Sequence, residues 1–212
     1  MRPIISQYLL VVCVLVLTAG CTPKLFKASL AGDNHSVKTL LAKGVDINSE
    51  DYGGATPLFA ASQNGHIDTV KILIANGANI NAQCDDGLIA LKYATGHPDI
   101  VKLLLDAGAD TELKDILGQT VLIYASMGGK TWTVKALIKG GANINAIGVA
   151  QDITPLIAAS GNGHTNIVRA LIDAGADVNM KSKKINITAL SIAIHKNHAE
   201  IVYFLRKAGA TK

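Results

Sequence analysis

The feature that most constrains this chain is a set of five residue types that recurs in fixed order along most of its length. In residues 51–83, Leu58 is followed by Ala61, Val70, Leu73 and Gly77. The same types recur in five further units: Leu25, Ala28, Val37, Leu40, Gly44; Leu91, Ala94, Val101, Leu104, Gly108; Leu122, Ala125, Val134, Leu137, Gly141; Leu156, Ala159, Val168, Leu171, Gly175; and Leu190, Ala193, Val202, Leu205, Gly209. Self-similarity at a period of about 33 residues predicts a stack of repeats rather than a single globular core.

Each unit carries signals for two helices and a loop. Thr56 can cap the free N–H groups of a first helix, and Pro57 suits the first helical position. Gly65 predicts a turn into a second helix, and Gly77 predicts its end, where a left-handed residue is favoured. One such pair cannot bury its apolar face alone, so neighbouring units must stack.

These motifs resemble the ankyrin repeat over about residues 24–212. Thr-Pro-Leu occurs at 56–58 and 154–156, Gly-His at 65–66 and 163–164, and Gly-Ala-Asp-Val-Asn at 175–179. The resemblance implies an all-α repeat solenoid of stacked helix-turn-helix units with short β-hairpin loops. It also implies a non-enzymatic scaffold that binds a protein partner through its hairpin tips and concave helix face.

We divide the chain by these columns. Residues 1–20 are assigned as a signal peptide, and 21–24 as a lipidated N-terminus with a short tether. An N-terminal capping repeat (25–50) precedes repeats at 51–83, 84–114, 115–148 and 149–182, of which 84–114 is shortened. Residues 183–212 form a C-terminal capping repeat.

The N-terminus has the charged, apolar and small-residue regions of a signal peptide. The C-terminal end of this segment, Leu17-Thr18-Ala19-Gly20-Cys21, resembles the lipobox of bacterial lipoproteins. That resemblance implies a lipid on Cys21 and attachment to the periplasmic face of a membrane. Thr22, in place of the Asp of inner-membrane retention, favours the outer membrane. A plain signal peptide or an uncleaved anchor stays open as an alternative.

Three departures from the pattern predict local weakness or compensation. In the third unit Ile89-Ala90-Leu91 replaces Thr-Pro-Leu, and two residues are missing between Ala94 and Gly96. We expect its first helix to be short, poorly capped and the weakest point of the stack. The family's bridging His after Thr-Pro-Leu is replaced by Phe59, Lys92, Ile123, Ile157 and Ser191, so apolar contact should carry more of the stacking. Asn197 replaces the turn glycine of the last unit and tolerates the left-handed conformation.

Ten apolar residues and Gln119 at predicted hairpin tips and first-helix faces are the candidate partner-binding residues, because exposed apolar patches mark interaction sites. The set is Tyr52, Leu88, Ile116, Leu117, Gln119, Met127, Trp132, Ile147, Ile153, Ile185 and Ile187. Packing between adjacent hairpins is the alternative for several of them. Trp132 stands where sibling units carry polar residues and is either an anchor or packed locally.

Nothing in the sequence predicts an enzyme, a cofactor, a metal or a small-molecule substrate. His66, His97, His164 and His198 recur at one turn position, so stacking should keep them apart, and no catalytic motif is present. A net charge of +4 does not indicate nucleic acid. Lys38, Lys71, Lys102, Lys135 and Arg169 form a column that is either a solvated face or a contact for anionic lipid. A protein partner and a lipid-anchored membrane are therefore expected, with an inhibitor or immunity-type protein and a lipid-surface structural protein as alternatives.

Overall fold

Twelve short α-helices and one 3₁₀ helix make up the part of the chain described by the computed structural model, which covers residues 22–149, 152–182, 184 and 186–211. The predicted lipidation site Cys21 and the candidate residue Ile185 lie outside these residues. The helices are α1 Lys24–Ala31, α2 Asn34–Ala42, α3 Pro57–Gln63, α4 Ile67–Ala75, α5 Ala90–Tyr93, α6 Pro98–Asp106, α7 Val121–Met127, α8 Thr131–Lys139, α9 Pro155–Gly161, α10 Thr165–Asp173, α11 Ala189–His195 and α12 Ala199–Lys207. Each successive pair forms one unit.

First helices pack against first helices, and second helices against second helices, along the stack. The repeated Leu, Ala and Val side chains lie between them and are buried from Leu25 at one end to Leu205 at the other, except that Leu40 and Val202 are half-buried. They belong to one continuous apolar cluster. Each fully buried Leu or Val contributes about 1.5–3 kcal/mol. The all-α solenoid expected from the sequence is confirmed.

Threonine caps start four of the six first helices. The hydroxyl of Thr56 accepts a hydrogen bond from the Phe59 amide, and Thr120, Thr154 and Thr188 do the same three residues ahead. At the start of α11 the Ser191 hydroxyl also accepts a hydrogen bond from the Thr188 amide, which completes a capping box. Caps of this kind are worth about 1 kcal/mol each.

The third unit has the defect that its sequence predicted. Its first helix, α5, is four residues long, and Ile89 at its N-cap gives no side-chain hydrogen bond. The chain continues as a 3₁₀ helix, Ala94–Gly96, before α6 begins. Ile89 is buried, so the position that caps sibling helices serves here only as an apolar contact.

Four of the six turns between paired helices use a left-handed glycine, Gly32, Gly65, Gly129 or Gly163, that also lies against the histidine of the next unit. Gly65 has φ +77°, and a Cβ placed there would lie 2.6 Å from the imidazole of His97 in the next unit. Asn197 takes the left-handed conformation with φ 58°, as its sequence position predicted. Described loops between units are tight turns, and two carry an isolated β-bridge, Gly148 with Ile153 and Lys181 with Thr188.

Candidate partner-binding surface

A line of polar side chains holds successive loops at fixed spacing. The Asn48 side-chain oxygen accepts a hydrogen bond from the Asn79 amide at 2.8 Å, and the Asn81 oxygen accepts one from the Asp110 amide at 2.8 Å. In the same way the side-chain oxygen of Glu112 accepts from the Asn143 amide, that of Asn145 from the Asp177 amide, and that of Asn179 from the Thr211 amide. Every junction between units therefore carries this bond, and the loops form a rigid row.

The turn histidines supply a second set of bridges between units. Nε2 of His66 lies 3.0 Å from the Leu30 carbonyl oxygen in the preceding unit. His97 and His164 pair in the same way with the carbonyls of Gln63 and Met127, at 3.1 and 3.0 Å. The absence of the family His predicted that apolar contact would carry more of the stacking. The turn histidines form polar bridges between units instead, so apolar contact does not hold the units together alone.

One junction lacks the turn histidine and is bridged differently. Lys130 occupies the histidine position of the fourth unit, and the link to the third unit comes from Thr133. Its hydroxyl donates to the Thr95 carbonyl at 2.8 Å in a buried site. The histidines do not converge, and in the described parts of the chain no group of three or more His, Cys, Asp or Glu side chains could hold a metal ion.

The same junction carries a buried ion pair at a place where the sequence suggested no bridge. Lys92 stands at the position of the family His, and its Nζ lies 2.7 Å from Oδ2 of Asp115 in the next unit. Their side chains are only 13% and 4% exposed. The Lys92 ammonium also lies 4.5 Å from the ring centre of Tyr124. The expectation that Lys92 leaves the polar bridge missing is therefore wrong.

Asp115 also shapes its own loop. Its Oδ1 accepts hydrogen bonds from the amides of Leu117 and Gln119, as Asp51 does for its loop in the second unit. Cys84 stands at this position in the third unit and has no carboxylate to offer. The Cys84 thiol is half-buried and free. The third unit thus lacks a side-chain helix cap and the carboxylate that braces sibling loops, although the Gln83 amide donates to the Gly87 carbonyl in the same loop at 2.8 Å.

Several predicted partner-binding residues are exposed, but two are not. Tyr52, Ile116, Leu117, Trp132 and Ile147 present large apolar surfaces to solvent. Leu88, Met127 and Ile187 are half-buried.

Gln119 and Ile153 are only 8% and 6% exposed, so predicting them as contact residues is wrong. The Ile153 side chain joins the apolar core, and its carbonyl pairs with the Gly148 amide. Gln119 is held in its loop by the bond from its amide to Asp115. Packing between loops, the alternative considered for this set, accounts for both.

The exposed loop residues of units two to five form one row, which we call the tip row: Tyr52, Asp85, Asp86, Ile116, Leu117 and Val149. The Asp85 amide donates to the Gly53 carbonyl at 2.9 Å, and the Ile116 amide donates to the Asp86 carbonyl at 3.0 Å. Val149 lies against Gly118, where φ is +68° and no side chain would fit. Val149 was not predicted, because its unit has an irregular loop that hides the register.

Trp132 and the basic column lie on second helices, not in these loops. Lys38, Lys71, Lys102, Lys135 and Arg169 are all exposed. Lys71 pairs with Asp68 at 3.3 Å, and the Arg169 guanidinium lies 5.0 Å from the Phe204 ring centre.

Hydrogen bonds from the Ser36 side chain and amide lower the pKa of Asp33, the N-cap residue of α2.

No helix in the described residues is both long and apolar enough to cross a bilayer.

The geometry defines the class first: a stacked helical-repeat protein whose successive loops are joined by hydrogen bonds at every junction between units. Comparison with known proteins gives the family. The family model for ankyrin repeats matches residues 25–115, 97–182 and 122–212, so the chain belongs to the ankyrin repeat family.

A curated ankyrin repeat protein of Rickettsia bellii (strain RML369-C) is 54% identical over 48 residues, which are 23% of this chain and 14% of that protein. The matched part is thus a small fraction of the relative's length. The crystal structure of an ankyrin repeat domain from Acinetobacter baumannii AYE is similar with a TM-score of 0.82 and 31% identity. The match covers 88% of this chain and 98% of that one. Ankyrin repeats bind protein partners in general, and the fold is typically non-enzymatic.

Proposed function

We propose that this chain is a non-enzymatic scaffold that captures one protein partner on the tip row. The observation that carries the proposal is the row itself: backbone hydrogen bonds join the loops of units two, three and four, and Tyr52, Ile116, Leu117 and Val149 expose large apolar side chains along it. Ile116, Leu117 and Val149 sit together at one end of it, and Tyr52 at the other. Rigid, exposed apolar residues lose little entropy on binding and suit an interaction site.

The negative charge at the centre of the tip row indicates what kind of protein surface could bind there. The exposed carboxylates of Asp85 and Asp86 lie between Tyr52 and the Ile116–Leu117 pair. A partner would therefore place a Lys or Arg against the centre of the row and apolar side chains on either side. Electrostatic complementarity of this sort sets orientation and association rate more than affinity.

The test is capture of partners from a native membrane extract by the full chain, quantified by mass spectrometry. We expect Ile116→Ser with Leu117→Ser to lose the captured partner, because the row then has no apolar end. A double variant far from the row, Ile194→Ser with Tyr203→Lys, is the matched control and should retain it. If the loop variant captures every protein that the unchanged chain captures, the tip row is not the binding surface.

We further propose that the scaffold is held at a bacterial membrane by a lipid on Cys21. The lipobox pattern supports this, and α1 begins at Lys24, only three residues later. Three extended residues reach about 10 Å, which would keep the first unit near the lipid surface. Cys21→Ser should abolish incorporation of a fatty-acid label, and continued labelling of that variant would refute the anchor.

A second candidate role is contact with anionic lipid through the exposed basic column. Five units each contribute one cation at the same helix position. Replacing Lys102 and Lys135 with Gln should weaken binding to vesicles containing anionic lipid at low salt. Equal binding of the variant and the unchanged chain would eliminate this role.

A further inference from the structure

The second helix of the fourth unit, α8, carries an aromatic side chain at a position that is polar in every sibling unit. Trp132 follows the first residue of α8, is 44% exposed and is the only Trp in the chain. The equivalent residues of the other five units are His35, Asp68, Asp99, Asn166 and Glu200. An indole buries a large area when a partner covers it, and Trp is enriched among the residues that dominate binding. The exchange therefore marks α8 as a contact surface.

The sequence around Trp132 is positively charged. Residues 116–151 contain three lysines, Lys130, Lys135 and Lys139, and no Asp, Glu or Arg. All three lysines are exposed, and in the part of the chain that the structure describes none of them forms an ion pair. Their charges are therefore not neutralised within the unit, and they favour an acidic partner.

One face of α8 brings the Trp and two of these lysines together. Trp132, Lys135 and Lys139 are spaced by three and four residues, so they lie along the same side of the helix. The equivalent side of α10 is one wall of a shallow groove against α8. The residues of that groove are Thr131, Lys135, Asn166, Arg169, Ala170 and Asp173. This side of a second helix is thus open along the outside of the stack and is not buried between units.

The positive patch is one unit wide. The second helices α6 and α10 pack on either side of α8. Within its bounds α8 has two Lys and no acid, whereas α6 has one Lys and two Asp, and α10 has one Arg and one Asp. The flanking carboxylates of Asp99, Asp106 and Asp173 are exposed. A broad anionic surface such as a bilayer would meet these carboxylates as well, whereas a single acidic segment lying along α8 would meet only cations and Trp132.

We propose that the exposed face of α8 binds an acidic segment of a partner protein. An apolar side chain of that segment covers the indole of Trp132, and its carboxylates face Lys135 and Lys139. The tip row lies on the loops and has Asp85 and Asp86 at its centre, so the two surfaces select partners of opposite charge. The inference therefore does not depend on the partner proposed for the tip row.

The probe is a labelled peptide of about 12 residues, without Trp, in which pairs of Glu alternate with single Leu. This length is enough to span α8, which is about 13 Å long. Its binding to the full chain in a non-ionic detergent is followed by the anisotropy of the label and by the emission of Trp132, which reports on this face alone because the chain has no other Trp. We expect binding that shifts the Trp132 emission to shorter wavelength and weakens with added salt, and no binding of the matched peptide with Lys in place of Glu.

Two variants of α8 should lose affinity for the Glu peptide. Trp132→Asn introduces the residue that the fifth unit carries at this position, and it should weaken binding by about tenfold or more, because the apolar anchor is lost. Lys135→Gln with Lys139→Gln should weaken binding by about threefold or more, because exposed charge pairs contribute less. Circular dichroism verifies that each variant keeps its helices.

Two control variants separate this face from the rest of the basic column and from the tip row. Lys38→Gln with Lys71→Gln removes the same number of charges from the same column in the first two units, and it should bind the Glu peptide like the unchanged chain. Ile116→Ser with Leu117→Ser changes only the tip row and should also bind the peptide like the unchanged chain.

The proposal is wrong if the Glu peptide does not bind, if it binds without changing the Trp132 emission, or if the Lys peptide binds equally well. It is also wrong if the Lys38 and Lys71 control loses as much affinity as the variant of α8. Binding of anionic vesicles through Trp132 and Lys135, without binding of the peptide, would overturn it and assign the face to lipid.

Discussion

Removing the charge of Lys92 should destabilise the stack far more than removing a lysine from its surface. In Lys92→Met the Oδ2 of Asp115 loses its partner inside a site where the carboxylate is 4% exposed. Breaking a buried pair in this way costs about 3–5 kcal/mol. Because Oδ1 keeps its two backbone hydrogen bonds, we expect the lower end, about 3 kcal/mol. With a slope of about 2 kcal/mol per M, the urea midpoint should fall by about 1.5 M.

The matched control is Lys71→Met, which breaks a pair whose side chains are 57% and 70% exposed. Such pairs contribute at most about 1 kcal/mol, so its midpoint should hardly change. Adding Asp115→Asn to Lys92→Met should recover part of the loss, since the penalty comes from the unpaired charge. Equal midpoints for the two lysine variants, or no recovery in the double variant, would refute the reasoning.

Three further outcomes follow from the third unit and from the first capped helix. Cys84→Asn should raise the free energy of unfolding by about 1 kcal/mol by restoring the oxygen that braces sibling loops, and an unchanged urea midpoint would contradict this. Amide hydrogen exchange should be faster across Ala90–Tyr93 and Ala94–Gly96 than across Val121–Met127, because α5 is short and uncapped; equal protection would show that the unit is not the weak point. Because folding lowers the pKa of Asp33 from its ordinary value of 3.8, its stabilising contribution is present above that pH and lost below it, so the stability of Asp33→Ser should depend less on pH in that range. Parallel pH profiles for the two proteins would contradict this.

The fold could be predicted because its causes are local and repeated. Thr56, Gly65 and Gly77 act on their own helix ends, and six copies of the same pattern reinforce one interpretation. The defect of α5 was visible for the same reason, since a missing Thr-Pro and two missing residues change one helix directly.

The bridges between units were not predictable from columns alone. Lys92 and Asp115 are 23 residues apart in different units, and the columns do not show that the side chain of one reaches the loop of the other. The burial of Gln119 and Ile153 depends on how each loop lies on the next. Side-chain types at a loop therefore show where contact is made, but not whether the contact is with solvent, a partner or the adjacent loop.

Four turn glycines, Gly32, Gly65, Gly129 and Gly163, lie close to the histidine of the following unit, and this contact limits which exchanges of whole repeats the stack tolerates. An alanine at Gly65 would place its Cβ 2.6 Å from the imidazole of His97, so the side chain that must shift belongs to the next unit. A whole repeat can therefore be inserted or exchanged without disturbing the stack only if each turn glycine stays with the histidine that contacts it in the next repeat. Chimaeras joined within the loops, with both members of each glycine–histidine contact taken from one parent, should tolerate recombination better than those that separate them.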